Sequence, residues 1–441
     1  MHPHGFSLDR KFSHHVAPTI AFAILILAST LSAYAQTETV IYSFVAPGHD
    51  GHTPYAAVVF DAAGNLYGTT YLGGTHNFGT VYELSPVSGG GWVETVLHSF
   101  TGGLDGANPQ APLILDASGN LYGTTILGGS SSQGAVFELS PVTGGGWHET
   151  VLHSFSNGLD GADPTGALVF DSAGNLYGTV PSGGTDHHGI VFELSPPVSG
   201  GVWHFTILHS FTGGMDGRVP FANLIFDSAG NLYGTAAYGG ISADCVPRGL
   251  NGCGVAYELS PTTGGGWHET VLHAFTGGHD GAFPIVGLTF DASGNLYGST
   301  YTGGDNGNCI TSDTSGCGVV FELSQSAGIW HETTLHAFSG GADGSDPNAV
   351  IPDSLGNVYG TTQLGGDTTS SGCSPNGCGV VFELSPVTGG GWHEAILHDF
   401  TGSPDGTLPA AALIFDSSGN LYGTTAAAGA DGQGTVFQVT P

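Results

Sequence analysis

The chain starts with the strand that its last repeat lacks. Seven copies of Gly-Asn-Leu/Val-Tyr-Gly begin at Gly64, Gly119, Gly174, Gly230, Gly294, Gly356 and Gly419, and an aspartate precedes each glycine by three residues. Spacings of 55 to 64 residues commit such a chain to a repeat architecture. Each unit divides into four short apolar runs bounded by turn residues, the pattern of all-β proteins. In the second unit these are strand a (111–116), b (120–125), c (134–139) and d (147–155). Six d strands open at Trp92, Trp147, Trp203, Trp267, Trp330 and Trp392, but the seventh unit stops after its c strand. Glu38-Thr-Val-Ile-Tyr-Ser-Phe44 matches Glu149-Thr-Val-Leu-His-Ser-Phe155 and supplies the missing strand from the other end. An open parallel β-helix, the rival fold, gives no reason for this exchange. A closed ring does, because it removes two free sheet edges. The expectation is an all-β, seven-bladed β-propeller of four-stranded blades, closed 3+1 by residues 38–44.

Residues 1–35 read as a secretory signal: Arg10 and Lys11, an apolar run from Ile20 to Ala28, then Ala33-Tyr34-Ala35 as a cleavage site. Nine apolar residues are too few to cross a bilayer, which takes about 20. The propeller then fills 36–441 as a single domain, secreted, periplasmic or at the cell surface. Removing the leader takes two cations and one acid, Asp9, so the formal charge of −32 becomes one unit more negative. Only Arg218 and Arg248 remain as cations, with no lysine. That excludes Schiff-base and P-loop lysine chemistry. It also excludes nucleic acid as a partner and disfavours anionic membranes. The six cysteines pair by proximity as Cys245–Cys253, Cys309–Cys317 and Cys373–Cys378, as expected of an exported chain.

The units of Asp-x-x-Gly-Asn-Leu-Tyr-Gly-Thr-Thr, then Gly-Gly, then Gly-x-Val-Phe-Glu-Leu resemble the bacterial GloVer tandem repeats of proteins called choice-of-anchor. The resemblance spans residues 38–440 and implies export and a propeller-like repeat fold. It carries no catalytic residues. The chain departs from that family in ending at Val439-Thr440-Pro441 without a sorting segment.

Several recurrent polar positions invite a role. The Asp-x-x-Gly-Asn aspartates read as turn residues. His98, His153, His209, His273, His336 and His398, with Tyr42 in their place in the first strand, read as packing groups on the same side as the Val151-like and Phe155-like positions. The strand c glutamates (Glu83, Glu138, Glu193, Glu258, Glu322 and Glu383) read as structural. Asp50, Asp105, Asp160, Asp216, Asp280, Asp343 and Asp405 of the Asp-Gly-x-x-Pro turns form the candidate metal ring. They are placed near the channel mouth, where calcium would be the cofactor, or else they cap their turns. Asymmetry points elsewhere. The b–c loops hold 4 residues in units 1, 2, 3 and 7 but 13, 13 and 12 in units 4, 5 and 6, with all six cysteines. Asp244, Asp305, Asn306, Asn308, Asp313 and Asp367 lie there, and Arg218 and Arg248 flank them as candidate ligands for an acidic group such as a uronate.

No nucleophile elbow, His-Glu-x-x-His or dinucleotide fingerprint stands out. The expected function is an exported, monomeric, non-catalytic propeller that binds a carbohydrate or another exported protein. The alternatives are an extracellular carbohydrate-active hydrolase or lyase using calcium, and a structural envelope protein.

Overall fold

The computed structural model describes residues 37–45, 50–198, 200–240, 245, 252–304, 309, 316–370, 372–373 and 375–441, so the signal-peptide expectation lies outside the described residues. Seven antiparallel sheets form a ring, the seven-bladed propeller read from the repeats. Blade 2 is typical: Ile114–Leu115 is the inner strand, followed outward by Leu121–Thr125, Ala135–Pro141 and Trp147–Ser154. In blade 7 the outer strand is Thr37–Ser43, running antiparallel to Thr435–Thr440 with Thr37 opposite Thr440. The 3+1 closure is therefore present, and the β-helix is not.

The repeated motif becomes legible residue by residue. Asp61 accepts the Ala63 and Asn65 amides at 2.8 Å, the Asn65 side-chain amide at 2.8 Å and the Tyr67 hydroxyl at 3.3 Å. Gly64 takes φ +88°, which closes the turn and favours glycine. The second glycine serves packing. Gly68 pairs with Tyr82 across the sheet, and a Cβ there would lie 2.4 Å from the tyrosine hydroxyl. In blade 2, Gly123 lies under Phe137 in the same way. A fully buried aromatic on strand c thus covers a bare stretch of strand b, the arrangement that stabilises glycine within a sheet.

Blades join through three recurring contacts. The proline of each Asp-Gly-x-x-Pro turn packs on the glycine that opens strand c of the preceding blade: a Cβ on Gly134 would stand 2.6 Å from Pro164 Cδ. The last such contact, Gly434 against Pro54, joins blade 7 to blade 1. Strand b hydroxyls reach the next inner strand, as in Thr179 to Ala222 O at 2.8 Å, and Thr424 to Ala56 O at 3.1 Å closes this series as well. Aromatic pairs fill the space between, such as Tyr67 against Trp147.

Every outer strand also carries a bulge, at Leu152 in blade 2, where Val136 pairs with His153 but Phe137 pairs with Val151. This corrects the expectation that the histidines share a side with both Val151-like and Phe155-like residues. In blade 4, Val271 packs into the cluster shared with blade 3, whereas Phe275 packs into that of blade 5. The bulge switches the strand from one neighbour to the other.

Deleting residues 36–44 should expose the unpaired edge of Thr435–Thr440 and remove Phe44, which is fully buried. Each apolar side chain lost from such a site is worth about 1.5–3 kcal/mol. The melting temperature of the deletion should fall by roughly 5 °C or more relative to residues 36–441. An unchanged melt would contradict closure.

Candidate functional site

The segments that enter the seven inner strands converge on the ring axis and leave a cavity of about 490 Å³ there. Small ligands commonly occupy sites of about 300–1,000 Å³. Each blade places there the residue that follows its turn proline: Tyr55, Gln110, Thr165, Phe221, Ile285, Asn348 and Ala410. These seven equivalent positions hold seven different residue types, in a ring whose other motif positions barely change. Asn223 and Gln363 add amides, and none of the described lining residues is charged. Asn348 is buried and tied to Pro409 O at 2.7 Å and Thr361 Oγ1 at 2.9 Å, and Gln363 donates to its Oδ1 at 3.2 Å. One wall of the cavity is therefore a fixed amide network. Tyr55 stands edge-on to Tyr71, with centroids 5.6 Å apart. The arrangement offers hydrogen bonds and aromatic faces to a ligand, without charge.

The second polar feature lies away from the axis, at the outer junctions. Asp105 accepts the Thr101 amide at 2.8 Å and its hydroxyl, while His98 Nε2 of the same outer strand stands 3.4 Å away. The other Asp-Gly-x-x-Pro aspartates behave alike: His153 faces Asp160 at 3.3 Å, His209 faces Asp216 at 3.7 Å, His273 faces Asp280 at 3.0 Å, and His398 faces Asp405 at 3.1 Å. His336 faces Asp343 at 3.6 Å, and the Tyr42 hydroxyl donates to Asp50 at 3.0 Å. The seven carboxylates therefore stand beside the outer strands and cap their own turns. None of them lines the axial cavity, which corrects their expected place near the channel mouth.

A third group completes six of the seven junctions and was missed in the sequence. The outer strand of the next blade brings a glutamate toward the same aspartate: Glu94 to Asp50, Glu149 to Asp105, Glu269 to Asp216, Glu332 to Asp280, Glu394 to Asp343 and Glu38 to Asp405. Burial first, and then the neighbouring aspartate, push the Glu94, Glu149 and Glu269 carboxyls up to about 7. Glu149 Oε1 is buried without a hydrogen-bond partner among the described residues. In the junction between blades 2 and 3 the position is Phe205, which stacks on His153 at 4.3 Å. The strand c glutamates have a different task. Glu83 and Glu138, for example, accept the Ser85 and Ser140 hydroxyls two residues along.

Of the candidates on the extended loops, Asp244, Arg248, Asp305, Asn306, Asn308 and Asp313 lie outside the described residues. Asp367 is described. Hydrogen bonds from Ser370 and Thr369 hold its carboxyl at about 2, and its amide donates to Asp399 at 2.7 Å. Arg218 bridges to Tyr238, and its Nε is buried without a partner among the described residues. Burial first, then the Arg218 charge, depress the pKa of the His188 imidazole. The disulfides Cys245–Cys253, Cys309–Cys317 and Cys373–Cys378 are formed. The first two press on Gly277 and Gly340 in the following turn, where Phe78 and His188 press on Gly102 and Gly213 elsewhere in the ring.

A family model described as the Gloeobacter/Verrucomicrobia repeat matches residues 28–246 and 245–441. No curated protein matches the chain. Among solved structures, the chain is similar to an ancestral GH74 enzyme, with 12% identity and a TM-score of 0.54 over 91% of this chain and 51% of that one. It therefore spans about half of that enzyme's length. A puromycin hydrolase matches with 14% identity and a TM-score of 0.45, over 85% of this chain and 50% of that one. The likeness to the GH74 enzyme, at so low an identity, speaks to the fold alone.

The junction glutamates predict a pH effect of definite sign. With a folded pKa of about 7 against an ordinary 4.5, Glu149 is protonated in the folded chain where the unfolded chain is ionised. Its stabilising share is complete below the lower value and is lost as pH rises through the higher one. His98, His153 and His209, whose pKa values burial depresses, act in the opposite sense, so a single-site comparison is needed. Glu149→Gln, which mimics the protonated acid, should melt at a higher temperature than the parent at pH 8.5 and within a degree of it at pH 5. Equal melts at both pH values would refute the shift.

Proposed function

The chain belongs to the Gloeobacter/Verrucomicrobia repeat family, and we propose that it is an exported, non-catalytic binding propeller whose axial cavity takes an uncharged saccharide unit. The observation that carries this reading is the unlike, uncharged set of residues at the seven equivalent axial positions. Structural positions repeat around the ring, so a place where the repeat is abandoned has been shaped for something else. Tyr55 and Phe221 offer faces to the C–H side of a sugar ring, and Gln110, Thr165 and Asn223 offer hydrogen bonds to its hydroxyls. Glycoside hydrolysis usually needs two carboxyl groups about 5–9 Å apart. The described lining supplies none, which favours binding over a hydrolase or lyase reading. Export is supported by the three disulfides, since such bonds persist in oxidising compartments.

Calorimetric titration of the mature protein with neutral and acidic oligosaccharides tests the proposal. Neutral ligands should bind, and Tyr55→Ala and Phe221→Ala should each weaken them by about tenfold, the loss of one aromatic contact of roughly 1–1.5 kcal/mol. Preference for acidic ligands, abolished by Arg218→Ala, would move the site to the cysteine loops and overturn the axial assignment. Release of reducing ends or unsaturated products would overturn the non-catalytic part.

A further inference from the structure

Among the described residues, one outer junction brings its three donors closer together than its six counterparts do. Between blades 5 and 6, His336 Nε2, Asp343 Oδ2 and Glu394 Oε1 converge from three elements and all lie within 4.8 Å of one another. His336 Nε2 stands 3.6 Å from each of the two carboxylate oxygens. Two ligand atoms each about 2.1 Å from a tetrahedral zinc ion stand about 3.4 Å apart, so the two separations from His336 match those of donors around a metal. His336 Nε2 and Glu394 Oε1 are both shielded from solvent and have no hydrogen-bond partner among the described residues. Such atoms cost free energy unless something fills the space between them.

We propose that His336, Asp343 and Glu394 form a binding site for a divalent transition-metal ion, with zinc the ion that suits them. Two carboxylates and one imidazole supply the charge and the nitrogen donor that zinc takes, whereas calcium takes oxygen ligands, six to eight of them. After residue 35 the sequence has no lysine, and its two arginines, Arg218 and Arg248, both belong to the fourth repeat. Ser339 steadies Asp343 from behind, its amide donating to Oδ2 at 2.8 Å and its hydroxyl to Oδ1. Such outer partners fix the orientation of a metal ligand. The three side chains are 22%, 18% and 15% exposed, so the cluster lies close to the surface although its donor atoms are shielded. At two other junctions His98 Nε2 with Glu149 Oε1, and His209 Nε2 with Glu269 Oε1, also lack partners among the described residues, but there the three donors do not come within 4.8 Å of one another. The rest spend these atoms differently. His273 and His398 bond their aspartates directly, at 3.0 and 3.1 Å, and Phe205 occupies the glutamate position beside His153. The site is independent of the axial cavity.

Metal-stripped mature protein without an affinity tag, titrated with Zn²⁺ at pH 7.5 by calorimetry and followed by thermal melting, decides the matter. The parent should bind one ion with a Kd in the micromolar range or tighter, and saturating zinc should raise its melting temperature by about 3 °C. His336→Ala should weaken binding by about 100-fold. Glu394→Gln, which keeps the shape of the side chain, should weaken it by at least tenfold and decides alone if the alanine variant misfolds. His153→Ala should bind as the parent does. Absence of zinc binding, unchanged affinity in Glu394→Gln, or a melting shift produced by Ca²⁺ but not by Zn²⁺ would each overturn the site.

Discussion

Everything in this ring depends on how closely one blade can approach the next. The limit is set where a turn proline meets a glycine that has no Cβ to keep it away. The contact between Pro164 and Gly134 leaves no room for a methyl group, and the same pair recurs up to Pro54 on Gly434, where the ring closes. Within each blade the matching device is the strand b glycine under the strand c aromatic. Together they bring backbone to backbone at the junction and put aromatic bulk where the sheets diverge. Burial follows from that geometry, since the strand c aromatics Phe137, Phe192 and Phe382 are wholly inaccessible to solvent.

Most of the repeat signature is thus consumed by architecture. The aspartate closes a turn, its asparagine and tyrosine satisfy that aspartate, and the proline and both glycines set distances. A chain can hold these positions constant around the ring while the axial positions change, and only Asn348 among them is locked in place by a network of its own. The long loops of blades 4 and 5 follow the same rule, since their disulfides occupy the place that Phe78 and His188 fill elsewhere.

The blades, the turn aspartates, the exchanged strand and the cysteine pairs were legible in the sequence because each rests on local spacing or on counting. The junction glutamates were not. Glu149 looks like an ordinary outer-strand residue, and its partner Asp105 lies in the preceding blade, so only the ring brings them together. The bulge at Leu152 was equally hidden, because no residue type marks it, yet it turns Glu149 to one neighbour and His153 to the other. The axial residues escaped for the opposite reason. A search for recurrence passes over Tyr55, Gln110 and Phe221 because they do not recur. Placing the aspartates at the channel mouth failed because the turn that carries them starts at the outer strand and reaches the axis only several residues later, after the proline.

The pairing of Thr37–Ser43 with Thr435–Thr440 also sets an order of events during synthesis. The ribosome makes the first of these strands before any of the seven blades and its partner after nearly all of them. The early strand therefore waits through almost the entire elongation with its backbone hydrogen bonds unmade. Six blades can assemble in sequence from contacts between close neighbours along the chain, which form quickly. The seventh joins segments almost four hundred residues apart, and only its completion turns a row of stacked sheets into a ring with no beginning.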